Sequence, residues 1–200
     1  MTGITGIDRR TRRKQQTRER IVDAAIELFI AQGYDATTVD QIAAAADVAR
    51  GTFFNHFPGK EDVTHAWIDR RRDELRDCIA AASAPDAVAR IVEGLQVATG
   101  LYDSDSVARR PMTRIWIRCG GPFGAGHGQT AESIRAVLDE GRQAGQLRKD
   151  LDIRAAAFLL QDSFIGALCR WAATDTDSLE QHVRPALDLV VPVLRDWTAG

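Results

Sequence analysis

The chain has 200 residues, 44% of them apolar and 27% charged, and a net charge of −2, an ordinary balance for one soluble domain or two small ones. Its three cysteines, Cys78, Cys119 and Cys169, are odd in number and form no CxxC pair, which argues against a disulfide framework or a zinc site. No apolar run approaches the roughly 18 residues that span a bilayer, and the opening MTGITGIDRRTRRK lacks the apolar core of a signal peptide. The expectation is a reducing cytoplasm, no membrane partner and no cofactor. The charge is unevenly spread: residues 1–20 sum to +5 and residues 61–200 to −4. A basic end on a mildly acidic body suggests that one end meets a polyanion; a solvated tail is the alternative.

Residues 1–13 have little apolar content and are expected to form a basic flexible arm. A helix follows over 17–32, because Ile21, Ala24, Ala25, Leu28 and Phe29 share one face. Gly33 ends it at a position that favours positive φ. Thr38-Val39-Asp40-Gln41 fits a capping box, so a second helix runs to about Ala45, with Asp47 at the turn, where a short polar side chain tolerates left-handed geometry. A third helix covers about Ala49–Phe57 and ends at Pro58-Gly59. A long helix runs from Lys60 to about Ala82, broken at Ala84-Pro85-Asp86. Further helices are predicted over 86–100, 106–118, 129–144, 152–173 and 177–198, with LYDSDS (101–106) as a loop and CGGPFGAGHG (119–128) as a flexible break. The whole reads as all-α, about nine helices: residues 14–60 form an amino-terminal helix-turn-helix head, and the long helix joins it to a bundle over 61–200. A boundary inside a helix would let a rigid element transmit movement.

Residues 37–60 carry the densest chemistry. Phe53 and Phe57, four apart, are assigned to the core between the first helices. Arg50, Phe54, Asn55 and His56 cannot face the same small core, and together they present a guanidinium, an aromatic edge, an amide and an imidazole. Arg can reach guanine O6 and N7, Asn can pair with adenine, and apolar groups can meet a thymine methyl. Gly51 inside a short helix costs about 1 kcal/mol relative to Ala; close approach of a DNA strand or of another packed backbone would each account for it. Lys60 occupies the first turn of the long helix, where a phosphate would be held by its ammonium and the free N–H groups. Thr37 and Thr38, at the start of the second helix, offer a similar seat.

The run VDQIAAAADVARGTFFNHFPGKED resembles the helix-turn-helix signature of the tetracycline-repressor (TetR) family of transcriptional regulators. The resemblance extends upstream through RERIVDAAIELFIAQGYDATT and covers about residues 14–63. It implies a homodimer whose two heads bind double-stranded DNA at a palindromic operator and whose body binds a small-molecule effector. It places Arg50, Thr52, Phe54, Asn55 and His56 on the recognition helix and gives Thr38 and Lys60 phosphate roles. Three positions depart from the pattern: Asp47 stands where Gly is usual, Ala49 where Ser caps the recognition helix, and Phe54 where Tyr is usual.

In the body, Ile153, Ala156, Ala157, Leu160, Phe164, Ala167, Leu168 and Trp171 form one apolar stripe, and Leu179, Val183, Ala186, Leu187, Val190, Val193, Leu194 and Trp197 another. Their surplus, with Gly166 permitting close approach, points to a homodimer interface through the two carboxy-terminal helices; a thick monomer core is the alternative. Pro185 and Pro192 imply a late start or a kink in the last helix. Candidates for a largely apolar effector pocket are Trp67, Leu95, Met112, Trp116, Cys119, Phe123, Phe164 and Trp171. Cys119 and His127 are too weak a pair for a metal site. No nucleophile–base pair, metal spacing or phosphate loop favours an enzyme. The function these readings converge on is a ligand-responsive DNA-binding regulator, in the sense of a repressor. The alternative keeps the DNA head and makes the body a redox or protein sensor, with Cys119 as its support.

Overall fold

The computed structural model describes residues 4–123 and 128–195, with side chains from residue 9 onward except Phe123. Nine α-helices occur among the described residues: α1 (Ile4–Gln32), α2 (Val39–Ala45), α3 (Arg50–Phe54), α4 (Lys60–Ala81), α5 (Ala87–Ser104), α6 (Ser106–Arg118), α7 (Gln129–Gln143), α8 (Ile153–Ala173) and α9 (Glu180–Leu194). A single 3-10 turn covers Gly121–Phe123. No strand is present among these residues, only one isolated bridge between Leu147 and Arg195. The all-α architecture expected from the periodicity is what the chain adopts. No helix among the described residues is long and apolar enough to cross a membrane.

Two compact units divide the chain, residues 1–67 and 68–200, and the division falls inside α4, at Trp67/Ile68 rather than at residue 60. The amino-terminal unit closes around Ile21, Ala25, Phe29, Ile42, Phe53 and Phe57, none more than 2% exposed. Phe53 lies between Phe54 and Phe57, with ring centroids 5.5 and 5.9 Å away. Helix α1 begins at Ile4, ahead of the expected residue 17. Arg9, Arg10, Arg12, Arg13 and Lys14 therefore stand on exposed helix rather than on an irregular arm. Helix α3 is shorter than expected: Asn55 is its C-cap, and His56 lies in the turn beyond.

In the carboxy-terminal unit α8 packs against α6, α7 and α9, and α5 against α6, α7 and α9. Asp86 and Asp152 cap α5 and α8 by accepting from Ala89 N at 2.8 Å and Ala155 N at 3.1 Å. The expected loop at 101–106 is helical instead, since α5 continues through Gly100 to Ser104. Tertiary contacts account for this. Tyr102 is buried edge-on to Phe164 and Trp171, and the Asp103 carboxylate accepts from Leu179 N at 2.6 Å and Glu180 N at 3.3 Å. Asp103 thus satisfies the start of α9, which has no side-chain cap of its own. Helix α9 starts at Glu180 and carries Pro185 and Pro192 within it. Gly94 permits a close approach of α5 to α4, because a Cβ there would lie 2.6 Å from Ile79 Cα.

All eight residues named for the α8 stripe are buried within this single chain. The surplus argued from α8 is therefore consumed by its own core. What stays exposed is a different set: Leu159 on α8, and Leu189 and Val193 on α9, the last with half-buried Ala186 and Val190 beside it. Trp197 and His127 lie outside the described residues.

Candidate nucleic-acid interface and body cavity

The head is held by caps that the sequence encodes locally. Thr38 accepts from Gln41 N at 3.2 Å, and the Gln41 side chain accepts from Thr38 N at 2.8 Å, a reciprocal capping box on α2. Gln41 also accepts from Gln32 Nε2 at 3.1 Å, tying α1 to this start. Asp47 adopts φ +50° and Gly33 φ +89°, so both turn residues stand in the left-handed region as expected. Ala49 provides no side-chain cap for α3.

Two cations have structural tasks that no local pattern signals. Arg20, counted with the basic arm, donates to the carbonyls of Ala46 and Asp47 at the end of α2. A guanidinium there satisfies free carbonyls and complements the negative helix end. Lys60 Nζ donates to Tyr34 O at 2.8 Å and Thr37 O at 3.0 Å and lies 4.3 Å from the centre of the Tyr34 ring. It clamps the loop between α1 and α2, which leaves one of its three donors. At the start of α4, Asp62 accepts from Gly59 N at 2.8 Å, and Glu61 and Asp62 occupy the first turn. Carboxylates thus hold the anion seat assigned there. Thr37 is 1% exposed, and its hydroxyl donates to Gly33 O at 2.8 Å. Its hydroxyl turns into the head, so the seat at α2 reduces to Thr38.

The face around α3 is open. Arg50, Gly51, Phe54 and Asn55 are exposed, and Thr52 and His56 half-buried. A Cβ added at Gly51 would meet nothing within 4 Å. No packed neighbour explains that glycine, and its surface is free for an approaching backbone. Arg50 Nη1 lies 2.5 Å from both carboxylate oxygens of Asp40, with both side chains 62% exposed; its guanidinium also sits 5.6 Å from the Phe54 ring centre. Burial, together with the positive Lys14 and Arg18, holds the His56 imidazole below its usual range. Arg18 also covers the Phe57 ring at 4.7 Å. The result is a guanidinium, an aromatic edge, an amide and an imidazole on one rim, with basic residues on the neighbouring α1.

In the carboxy-terminal unit a cavity of about 40 Å³ opens between α4, α5, α6 and α8 and the start of α7. Trp116 and Phe164 are on its wall. Leu95, Met112 and Trp171 are fully buried elsewhere in the core, and Cys119 is half-buried beyond α6. Trp67 is buried and belongs to the amino-terminal unit. The side chain of Phe123 lies outside the described ones. The rest of the wall was not foreseen in the sequence, and it includes the polar side chains of Tyr102, Arg71 and Arg72. Arg71 and Arg72 gave no signal because RRRDELR reads as a solvated helix face, and Tyr102 because LYDSDS reads as a loop. Burial pushes the Tyr102 phenol above its usual range and the Cys78 and Cys169 thiols likewise.

Comparison with known proteins matches this geometry. Residues 21–66 match the family described as bacterial regulatory proteins, tetR family. The HTH-type transcriptional regulator TcmR of Streptomyces glaucescens is 52% identical over 54 residues, covering 27% of this chain and 24% of TcmR. The match therefore spans about a quarter of that relative. Over a longer stretch, the HTH-type transcriptional repressor DhaR of Mycobacterium sp. (strain GP1) is 25% identical, covering 88% of this chain and 92% of DhaR. Among solved structures, Thermus thermophilus FadR, a TetR-family transcriptional repressor in complex with lauroyl-CoA, superposes with a TM-score of 0.67 at 28% identity, covering 92% of this chain and 98% of that one. Helix-turn-helix geometry, matched domain and whole-chain fold agree: residues 21–66 are a TetR-family domain of bacterial regulatory proteins, and over most of its length the chain is similar to TetR-family repressors.

Proposed function

We propose that this protein is a ligand-responsive transcriptional repressor that binds a palindromic operator as a homodimer. The observation that carries the reading is the open rim of Arg50, Gly51, Phe54 and Asn55 on a head whose Arg20, Thr37 and Lys60 are engaged by backbone carbonyls. Arg50 and Asn55 would read base edges. Thr38 and the basic row of α1 would meet phosphates, giving a steep salt dependence. To reach a base, Arg50 must leave Asp40. An exposed pair of this kind is worth about 0.2–1 kcal/mol, less than the roughly 1–3 kcal/mol of a bidentate base contact. Lys60 would add one remaining donor to a phosphate.

Dimerisation would use what the monomer core leaves over, namely Leu159 on α8 and the row Ala186, Leu189, Val190 and Val193 on α9. Two recognition helices would then enter major grooves about 34 Å apart or a multiple of that. The body cavity would take the effector. At about 40 Å³ it is well below the roughly 300 Å³ of a drug-sized site, so a ligand must widen it. A ligand that binds only the widened form shifts the population toward that form. Helix α4, which supplies Lys60 to the head and Arg71 and Arg72 to the cavity wall, is the element on which the two events would meet. The FadR neighbour, a repressor solved with lauroyl-CoA, supports the body as a small-molecule site. For the redox alternative, burial raises the Cys78 and Cys169 thiols, which leaves less thiolate and keeps the half-buried Cys119 as its support.

The test is a gel-shift and footprint on DNA upstream of the chain's own gene, with mass measurement of the free protein. A symmetric footprint from a dimer, weakened in Arg50→Ala and Asn55→Ala with the melting temperature retained, is expected. A monomer in solution, or equal affinity in both variants, would refute the corresponding part.

A further inference from the structure

The cavity wall in the carboxy-terminal unit is apolar on most sides and cationic on one. Ile68, Leu75, Trp116, Phe164 and Leu168 supply apolar surface, each at most 6% exposed. Among the described residues, the charged side chains on the wall are Arg71 and Arg72, and no carboxylate reaches it. Both guanidiniums are largely removed from water, with side chains 17% and 15% exposed. Arg72 is paired with Asp69 at 2.7 Å and Arg71 with Glu74 at 2.8 Å, but a guanidinium carries five N–H donors. Glu74 is also shared with Arg109, which approaches at 3.1 Å. Arg109 has Asp105 as a further partner at 3.5 Å, so these pairings hold the guanidiniums in place while their carboxylates stand off the described wall. The start of α7 reaches the same wall through Gly128 and Thr130. Gly128 provides no side-chain cap there, so the positive helix end adds to the two arginines. Gln161, 2% exposed, already accepts from Ala131 N at 2.9 Å and fixes that helix start against α8.

We propose that the effector is an amphipathic anion: a compact apolar body bearing one carboxylate or phosphate, with the anionic group held by Arg71 and Arg72 and the apolar part widening the space toward Trp116 and Phe164. This narrows the largely apolar ligand expected from the sequence, and it rests on the reading of this cavity as the effector site. A planar guanidinium suits carboxylate and phosphate equally, whereas a cationic ligand would place like charges together in a water-poor space.

The experiment uses the full chain and four probes of one length, octanoate, octyl phosphate, octanol and octylammonium, with affinity read by calorimetry and thermal stabilisation. Either anion is expected to bind at least about tenfold more tightly than octanol, and the stronger of the two identifies the head group. Arg71→Gln and Arg72→Gln are each expected to remove most of that preference, with Arg72→Lys keeping part of it. Glu74 retains Arg109 in the first variant and Asp69 is half exposed in the second, so neither leaves a buried unpaired carboxylate. Octanol or octylammonium binding as tightly as the anions, or a preference that survives both Gln variants, would overturn the anion assignment and leave the cavity as effector site standing. Failure of all four probes to bind or to alter operator release would overturn both.

Discussion

In the amino-terminal unit the arginine side chains stand at the surface, that of Arg50 62% exposed and that of Arg20 51%. In the carboxy-terminal unit Arg109 and Arg110 are each 8% exposed. Arg110 spans the α8–α9 connection, donating to Thr174 O at 2.5 Å and Asp177 O at 2.6 Å, with its guanidinium 4.5 Å from the Trp171 ring centre. Arg114 adds Ala172 O at 2.5 Å and Thr174 O at 2.8 Å. The head closes on a few aromatic and aliphatic side chains and keeps Arg50 at its surface, while Arg20 and Lys60 reach back from its rim to backbone carbonyls. The body draws cations inward to satisfy the carbonyls of a helix end. One residue type therefore stays half or more exposed in one unit and is drawn into the fold in the other.

Substitutions can separate these roles. The largest effect is expected from Phe53→Ala in the small head core. Removing a fully buried ring costs about 3–5 kcal/mol, and loss of both cooperative melting of the head and DNA binding would follow. Arg110→Met comes next, because the carbonyls of Thr174 and Asp177 lose a charged donor; about 2–3 kcal/mol of body stability should disappear, read by denaturant titration. Arg50→Ala should behave oppositely, with operator affinity falling by about 1–3 kcal/mol while stability moves by less than about 0.5 kcal/mol. If Arg50→Ala destabilised the head as strongly as Arg110→Met does the body, the contrast between the units would collapse. Asp47→Gly should raise stability by something under about 1 kcal/mol, since glycine holds φ +50° without the Cβ clash.

The smallest effect belongs to His56 and to pH. Its folded pKa is lowered, first by burial and then by Lys14 and Arg18. The unfolded chain therefore binds the proton more readily, and stability should rise as pH increases toward the unfolded value near 6.5 and level off above it. His56→Gln should flatten that slope in a pH series of melting temperatures.

Much of the head was readable from short-range pattern. The capping box at Thr38 and Gln41, the left-handed Asp47 and Gly33, and the division of Phe53 and Phe57 from Phe54 each depend on neighbours within four residues along the chain. The errors have a common cause in longer range. Lys60 read as a phosphate contact, but two of its donors end on carbonyls 26 and 23 residues away, and Arg20, counted only in the charge of the basic end, reaches carbonyls 26 and 27 residues away. Gly100 and the polar run after it read as a break, but Tyr102 and Asp103 gain partners on α8 and α9 that keep the helix going. The α8 stripe read as surplus because periodicity counts apolar residues and cannot count the surfaces available to bury them.

The sequence by itself determined an all-helical chain, most of its helix limits, a helix-turn-helix with its caps and turns, and the residues left over for an outward face. These follow from local backbone preference and from the 3.6-residue period. The tertiary structure alone decided which cations are structural, which apolar residues of α8 and α9 stay exposed, and that Arg71 and Arg72 reach a cavity. Long flexible side chains and helix surfaces take their meaning from what packs opposite them, and that is set by elements distant in sequence.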